Sequence, residues 1–519
     1  MSIASRISKV GGLTLVSRLF GFIRDMLMAR YLGAGMAADA FFIAFKLPNF
    51  FRRLFAEGAF SAGFVPLFSR LLGKDVTPES HAAAEAFAGR VLSVLLPVLF
   101  VFLLIMEAAM VPVMLGLTGG FEGDAEKFAL TVELGRLAFP YLMLVSLVSM
   151  LAGMLNAFDR YAAAAFVPTL LNFFMIGALL TAPEGEAMAR WLAVAVSLSG
   201  LAQFIWLFVA AKRAGIHLKL SMPKLSPDVR ELLKVVGPAA IGAGVMQLNL
   251  LIDLALAARF LPEGSVSWLF YADRLNQLPL GVIGVAVGTV LLPSISRLLG
   301  SGDVAGANAQ TNRAIEFALT LTLPAAVALI MVAPEIIATL FEREAFTTND
   351  TAMTATALAV FAAGLPAFVL GKTLTPGYFA RKDTRTPVRF AIVAVVANTA
   401  LSLLLIPHIA HVGLAAASTL SSWLNVAMLY WGLHTRGHLM IERVTLVRTA
   451  KALAAAILMG TVLAGLSHLM ADTFRADGLE RIGALALLVI AGLVVYFSLA
   501  VLTGAIRMVD FRRIIKRGA

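Results

Sequence analysis

The chain has 519 residues, 60% hydrophobic and 14% charged, with no cysteine and a mean hydropathy of +0.88. Soluble domains carry about a quarter charged residues, so this composition excludes a water-soluble globule. The net charge of +11 does not argue for nucleic acid, because the basic residues fall mostly in short breaks between apolar runs, and the missing cysteines exclude disulfides, thiolate catalysis and cysteine-ligated metals.

The first apolar stretch lies near 11–32. Arg18 and Arg24 interrupt what would be the apolar core of a signal peptide, and no small-residue cleavage site follows, so this helix is expected to stay in the mature protein. The second stretch is near 37–67, and together the two concentrate charge: Arg18, Arg24, Asp25, Arg30, Asp39, Lys46, Arg52, Arg53 and Glu57. Further stretches able to cross about 30 Å of hydrocarbon lie near 88–117, 129–157, 162–182, 188–211 and 233–261. They continue near 266–295, 314–341, 353–379, 388–407, 412–434, 446–470 and 481–504. The pattern predicts an all-α polytopic membrane protein with about fourteen transmembrane helices. The second and eighth are the least regular, interrupted by charges and by Pro48 or by Pro279, Gly281, Gly284 and Gly288. Such bends suit mobile helices, although Pro and Gly are common in membrane helices in any case.

Orientation follows from the loops. Alternate breaks are basic, from Arg6 and Lys9, through Arg70 and Lys74, to Arg381, Lys382, Arg385 and Arg389 and the tail Arg507, Arg512, Arg513, Lys516 and Arg517. The intervening breaks, such as GFEGDAEK and FEREAFTTND, are acidic or nearly neutral. Cytoplasmic loops carry the excess of Lys and Arg, so both termini are predicted to be cytoplasmic.

The chain also repeats itself. Pro66–Gly73 (PLFSRLLG) recurs as Pro293–Gly300 (PSISRLLG), an offset of 227 residues from 66 to 293, and at nearly the same offset Phe139-Pro140 matches Leu365-Pro366. Each half starts from the cytoplasm and holds six helices, so the repeat is parallel, with an axis along the membrane normal, and paired halves suit alternating access. The predicted division is an N-terminal lobe over 1–225, a C-terminal lobe over 226–440, and two further helices over 441–519 ending in the basic tail.

A charge at mid-bilayer costs about 3 kcal/mol on insertion scales and far more in simulations, so it persists only where it faces water or a partner. At 100° per residue Arg18 and Asp25 share one face of the first helix, with Arg24 about a third of a turn away. Arg52 and Arg53 follow Pro48, and the repeat maps Lys46-Leu47 onto Asp273-Arg274 in the eighth stretch. Arginine's planar fork grips phosphate bidentately, so Arg18, Arg24, Arg52 and Arg274 are candidate ligands for a diphosphate. Asp25 and Asp39 are read as partners holding arginines in position, and Arg53, Glu57 and Asp273 as supporting charges. Arg30, near a helix end, is read as snorkelling to the interface. Asp253 in the seventh stretch is a candidate proton or cation site, or the partner of a neighbouring helix; Lys372 and Glu107 carry no assignment.

No catalytic constellation appears. The seven histidines show no metal-ligand spacing, and no phosphate-binding glycine-lysine loop is present, so no metal or cofactor is expected. Transport would draw on a monovalent ion gradient, the membrane potential or substrate flow.

Residues 17–69, SRLFGFIRDMLMARYLGAG through FVPLFS, closely resemble the start of the MurJ/MviN family of bacterial lipid II flippases, as do 264–296 and PGYFARKDTRTPV at 376–388. The likeness runs the whole length. It implies the multidrug/oligosaccharidyl-lipid/polysaccharide exporter fold, two six-helix lobes plus two helices shaping a hydrophobic groove for a lipid tail. The implied activity is not enzymatic. It is movement of the undecaprenyl-diphosphate-linked disaccharide-pentapeptide, the peptidoglycan precursor used in cell-wall biogenesis, between leaflets of the bacterial inner membrane. The family's cavity arginines fall on Arg18, Arg24, Arg52 and Arg274, and its first-lobe acid on Asp39; where the family often has an acid after the last arginine, this chain has Asn276 and Gln277. The expected partners are the lipid-linked precursor and membrane lipids, with the cell-wall synthesis machinery a candidate and nucleic acid none. The rival readings are a flippase or exporter of another anionic lipid-linked glycan, and a drug/cation antiporter of the same architecture.

Overall fold

A computed structural model of the chain describes residues 3–54, 60–73, 77–121, 124–476 and 478–506. Glu57, Lys74 and the basic tail from Arg507 lie outside the described residues. All regular elements among the described residues are helices.

The charge-rich start forms α1 (Ile3–Leu32), which Gly33 ends at φ +67, and α2 (Met36–Phe51), which runs through Pro48. Residues 52–54 continue α2 as a wider π-helical turn, and α3 (Ser61–Leu72) follows. Proline thus bends this region without ending α2 at Pro48 itself. The third predicted stretch is broken into α4 (Pro78–Ala108) and α5 (Met110–Thr118), and the fourth into α6 (Ala125–Ala138) and α7 (Pro140–Ala157). Thr77 and Ser80 form a capping box that starts α4 with Pro78 in its first turn, and Asp124 accepts the Lys127 N–H to start α6. Pro140 opens α7 directly after Phe139, which keeps helical φ/ψ, so 125–157 is one apolar stretch, and its sequence match Leu365-Pro366 lies inside a single helix. The octapeptide repeat is structural in both copies: Leu72 ends α3 and Gly300 ends a later helix, α11.

α8 (Tyr161–Thr181), α9 (Glu186–Arg213), α10 (Pro227–Phe260) and α11 (Ser265–Gly300) follow, then α12 (Val304–Met331) and α13 (Ala333–Phe341). After α14 (Thr348–Phe379) comes α15 (Arg385–Thr435), which breaks after Pro407 where Ala410 adopts φ 46, ψ −130. That break separates the two stretches predicted there. α16 (Arg443–Leu469), the short α17 (Ala471–Arg475) and α18 (Leu479–Leu502) complete the order. Among the described residues, nine helical stretches are long and apolar enough to cross a membrane. α1 is not one of them, because every eighteen-residue stretch of it carries at least three charged side chains. On α4, Val98, Phe100, Val101, Leu104 and Ile105 are all more than half exposed, which is stable only against lipid.

The chain forms two compact units, one of residues 1–267 with 343–346, the other of residues 268–342 with 347–519. In the first, α1 packs on α8, α7 and α8 on α9, and α2 on α6, and the stacked rings of Phe60, Phe64, Phe68 and Phe87 form part of a core shared by α3, α4, α7, α9 and α10. α10 belongs to it by packing against α2, α3, α4 and α5. In the second unit, α12 packs between α14 and α16, α15 packs on α14, and α18 lies on α16.

Candidate functional site

The first unit contains two centres of buried charge. Arg24 lies on α1 where that helix passes from exposed to buried, and Arg24 and Asp25 are 7% and 4% exposed. Arg24 Nε and Nη2 both donate to Asp25 Oδ1, at 3.0 and 2.6 Å. Nη1 donates to Asn172 Oδ1 of α8 at 2.9 Å, and the Asn172 amide in turn donates to the Ser17 carbonyl at 3.0 Å. A guanidinium in this setting is held in a fixed plane by groups on two helices. Asn172 gives no signal in the sequence, being one polar residue in the apolar run VPTLLNFFMIG.

The second centre is Asp39, 1% exposed in the first turn of α2. Its Oδ2 accepts from Lys127 Nζ at 3.1 Å and from the Gly264 N–H at 2.8 Å; its Oδ1 accepts from the Ser267 N–H and hydroxyl at 3.0 and 2.7 Å. Gly264 and Ser267 bracket the start of α11, whose first N–H groups have no helical acceptor, so Asp39 caps that start. Glu263 returns the favour, accepting the Met36 N–H that opens α2 at 2.6 Å. Met36 and Glu263 are 227 residues apart, the repeat offset, so the capped ends are repeat-equivalent. The cation that Asp39 holds is Lys127, whose Nζ also lies 4.8 Å from the Phe121 ring centre, rather than an arginine. Lys127 gives no signal in the sequence because it precedes the apolar stretch that begins near 129; the capping Asp124 carries the helix back over it.

The remaining candidates are defined by their own surroundings. Arg18 and Arg53 are exposed; Arg52 is partly buried and donates to Asn49 at 3.2 Å. Asp253 on α10 accepts from Asn249 one turn earlier at 3.2 Å. In the second unit Arg274 lies 4.8 Å from the Phe270 ring centre, and Asp273 accepts a hydrogen bond from Gln277. Asn276 is 2% exposed. Arg30 pairs with Glu344 at 2.5 Å, and its carbonyl accepts the Ala345 N–H at 3.0 Å, so residues 343–346 dock on the end of α1. A Cβ on Gly33 would stand 2.4 Å from the Ala345 carbonyl oxygen, which requires glycine there. The hydrogen bond from Arg30 holds the Glu344 carboxyl below its ordinary range. Trp268 donates to Asp350 at 2.8 Å and its ring lies 5.1 Å from that of His411.

Apolar helices that carry hydrogen-bonded charges in their interior define a polytopic membrane transporter rather than an enzyme. The chain belongs, more particularly, to the family described as lipid II flippase MurJ, whose profile matches residues 28–482. It is 45% identical over 525 aligned residues to a probable lipid II flippase MurJ of Rhizobium tropici, covering 100% of this chain and 97% of that one. Lipid II flippase MurJ of Burkholderia cenocepacia is 34% identical, with 99% of each covered. The fold matches an inward-closed structure of lipid II flippase MurJ with a TM-score of 0.78 at 24% identity, over 98% of this chain and 99% of that one. It also matches an inward-facing multidrug transporter of the MATE family, at TM-score 0.65 and 16% identity, covering 81% and 94%.

Proposed function

We propose that the chain flips lipid II, carrying the undecaprenyl-diphosphate-linked disaccharide-pentapeptide from the cytoplasmic to the periplasmic leaflet of the inner membrane by alternating access. The observation that carries this reading is the 45% identity, along the entire chain, to a protein named a lipid II flippase. The chemistry agrees with it. A diphosphate head cannot cross hydrocarbon unaided, and Arg18, Arg24, Arg52 and Arg274 are its ligands, with Asp25, Asp39, Arg53, Glu57 and Asp273 as supporting charges. The chain crosses the membrane fourteen times with both termini cytoplasmic, as six helices in each lobe, 1–225 and 226–440. The last two helices, over 441–519, accept the polyprenyl tail. Asp253 couples transport to a monovalent ion or to the membrane potential, and the cell-wall synthesis machinery is a partner.

The test is rescue of cells depleted of their own flippase. Wild type restores growth and clears the lipid-linked precursor from the inner leaflet; Arg24→Ala and Arg274→Ala, at wild-type abundance, do not. Full rescue by either variant removes the role given to that arginine. Accumulation of a different lipid-linked glycan on depletion overturns the choice of substrate.

A further inference from the structure

The charged helices leave unused a polar pocket within the second unit. The turn from α12 into α13 meets the end of α16, the short α17 and Thr351 of α14 around an open cavity of about 430 Å³. Glu335, in the first turn of α13, lies in its wall. One carboxylate oxygen, Oε1, accepts the Ser467 hydroxyl; the other, Oε2, is buried with no hydrogen-bond partner among the described residues. A buried acceptor left unanswered costs about 1–3 kcal/mol, more when charged, so this oxygen is a place for a donor from outside.

The surroundings say what kind of donor. His468 and Arg475 also line the cavity and both are exposed; among the described residues Arg475 is committed to a solvent-exposed pair with Asp472, at 3.0 Å, which water and salt weaken. α12 and α16 are apolar spans and both end here, which sets the cavity at headgroup depth. Next to the lining His468 the apolar surface is bare: Leu469 is 81% exposed. A ligand that fits has an ammonium for Glu335, an anion for Arg475 and His468, and apolar chains for the flank.

We propose that this pocket binds the headgroup of an amine-bearing phospholipid, the ammonium of a phosphoethanolamine on Glu335 and its phosphate on Arg475 and His468. The site serves the resident bilayer, not the transported precursor, and it holds whichever way the chain is oriented.

The full-length protein in detergent, titrated with phosphatidylethanolamine or with phosphatidylcholine of the same acyl chains and read by native mass spectrometry, tests this. The two lipids share the phosphate, but the trimethylated amine has no N–H to donate. Wild type is expected to bind phosphatidylethanolamine roughly tenfold more tightly, the worth of one charge-assisted hydrogen bond. Glu335→Gln should bring the two lipids to within about twofold without weakening phosphatidylcholine. Arg475→Ala should weaken both alike. Equal binding of the two lipids by wild type, or an undiminished preference in Glu335→Gln, overturns the proposal. If Glu335→Gln does not fold, Ala464→Trp, which fills the cavity, replaces it; a preference that survives the blockage overturns the proposal equally. The measurement involves no flipping, so it fails or succeeds independently of the transport reading.

Discussion

Arg24 and Asp39 are both charges buried in the first unit, yet they are built for opposite purposes. Asp39 accepts four hydrogen bonds, from one ammonium, two helix-start N–H groups and a hydroxyl, shared between its two oxygens. A carboxylate so supplied is a joint. Arg24 directs two of its nitrogens at a single oxygen of its neighbour Asp25 and the third at a neutral amide. Its partners are one carboxylate oxygen and one neutral amide, fewer than those of Asp39, and the proposed diphosphate would compete for the same nitrogens. Burial alone therefore does not identify a ligand residue; the number and kind of its partners do.

The largest effect expected is at the joint. Asp39→Ala leaves Lys127 buried without its counter-charge and the start of α11 uncapped, and should cost about 3–5 kcal/mol. Thermal unfolding in detergent measures this, and the variant should lose rescue in proportion to its lost abundance. Lys127→Met tests the same joint from the other side and should destabilise by a similar margin. A Lys127→Met protein as stable as wild type breaks the distinction between the two centres.

Arg24→Lys sharpens it. Lysine keeps the charge and loses the fork, so stability should fall only about 1–2 kcal/mol. Rescue should nonetheless disappear at wild-type abundance. If rescue instead follows abundance, Arg24 is a structural residue like Asp39. Arg30 and Glu344 supply the baseline, an ion pair whose side chains are 42% and 49% exposed. Glu344→Gln should leave the unfolding temperature and rescue unchanged, because solvent screens such a pair.

Much of this was legible in the sequence because lipid imposes one dominant rule. Apolar runs bounded by basic breaks located the helices, and depth singled out nine charges in the first sixty positions, Arg24, Asp25 and Asp39 among them. The partners were not legible. Lys127 and Asn172 are separated from their partners by 88 and 148 residues, and only packing brings them near. The interruptions were less legible: Pro48 stays inside α2, while the stretch 88–117 breaks at Ala109. A bilayer-length hydropathy window sees composition, and such breaks depend on neighbours that satisfy the freed backbone groups.

A second exposed pair, in the other unit, carries the smallest effect. Asp383 lies in the turn between α14 and α15, where it accepts the Thr386 N–H at 3.0 Å and pairs with Arg436 at 2.8 Å. The Thr386 bonds, and after them Arg436, hold its carboxyl down at about 2. An unfolded aspartate titrates near about 3.9, so the folded state favours the charged form. Its stabilisation is complete above the unfolded value and is lost as pH falls from about 4 toward 2. Unfolding temperatures of wild type and Asp383→Asn should therefore differ by a small, constant amount from pH 7 to pH 5 and converge below pH 4. A difference that persists undiminished below pH 2 would assign the contribution to the Thr386 turn rather than to charge. Because Arg436 is 45% exposed, added salt should shrink the neutral-pH difference, whereas the Asp39 variants should keep theirs.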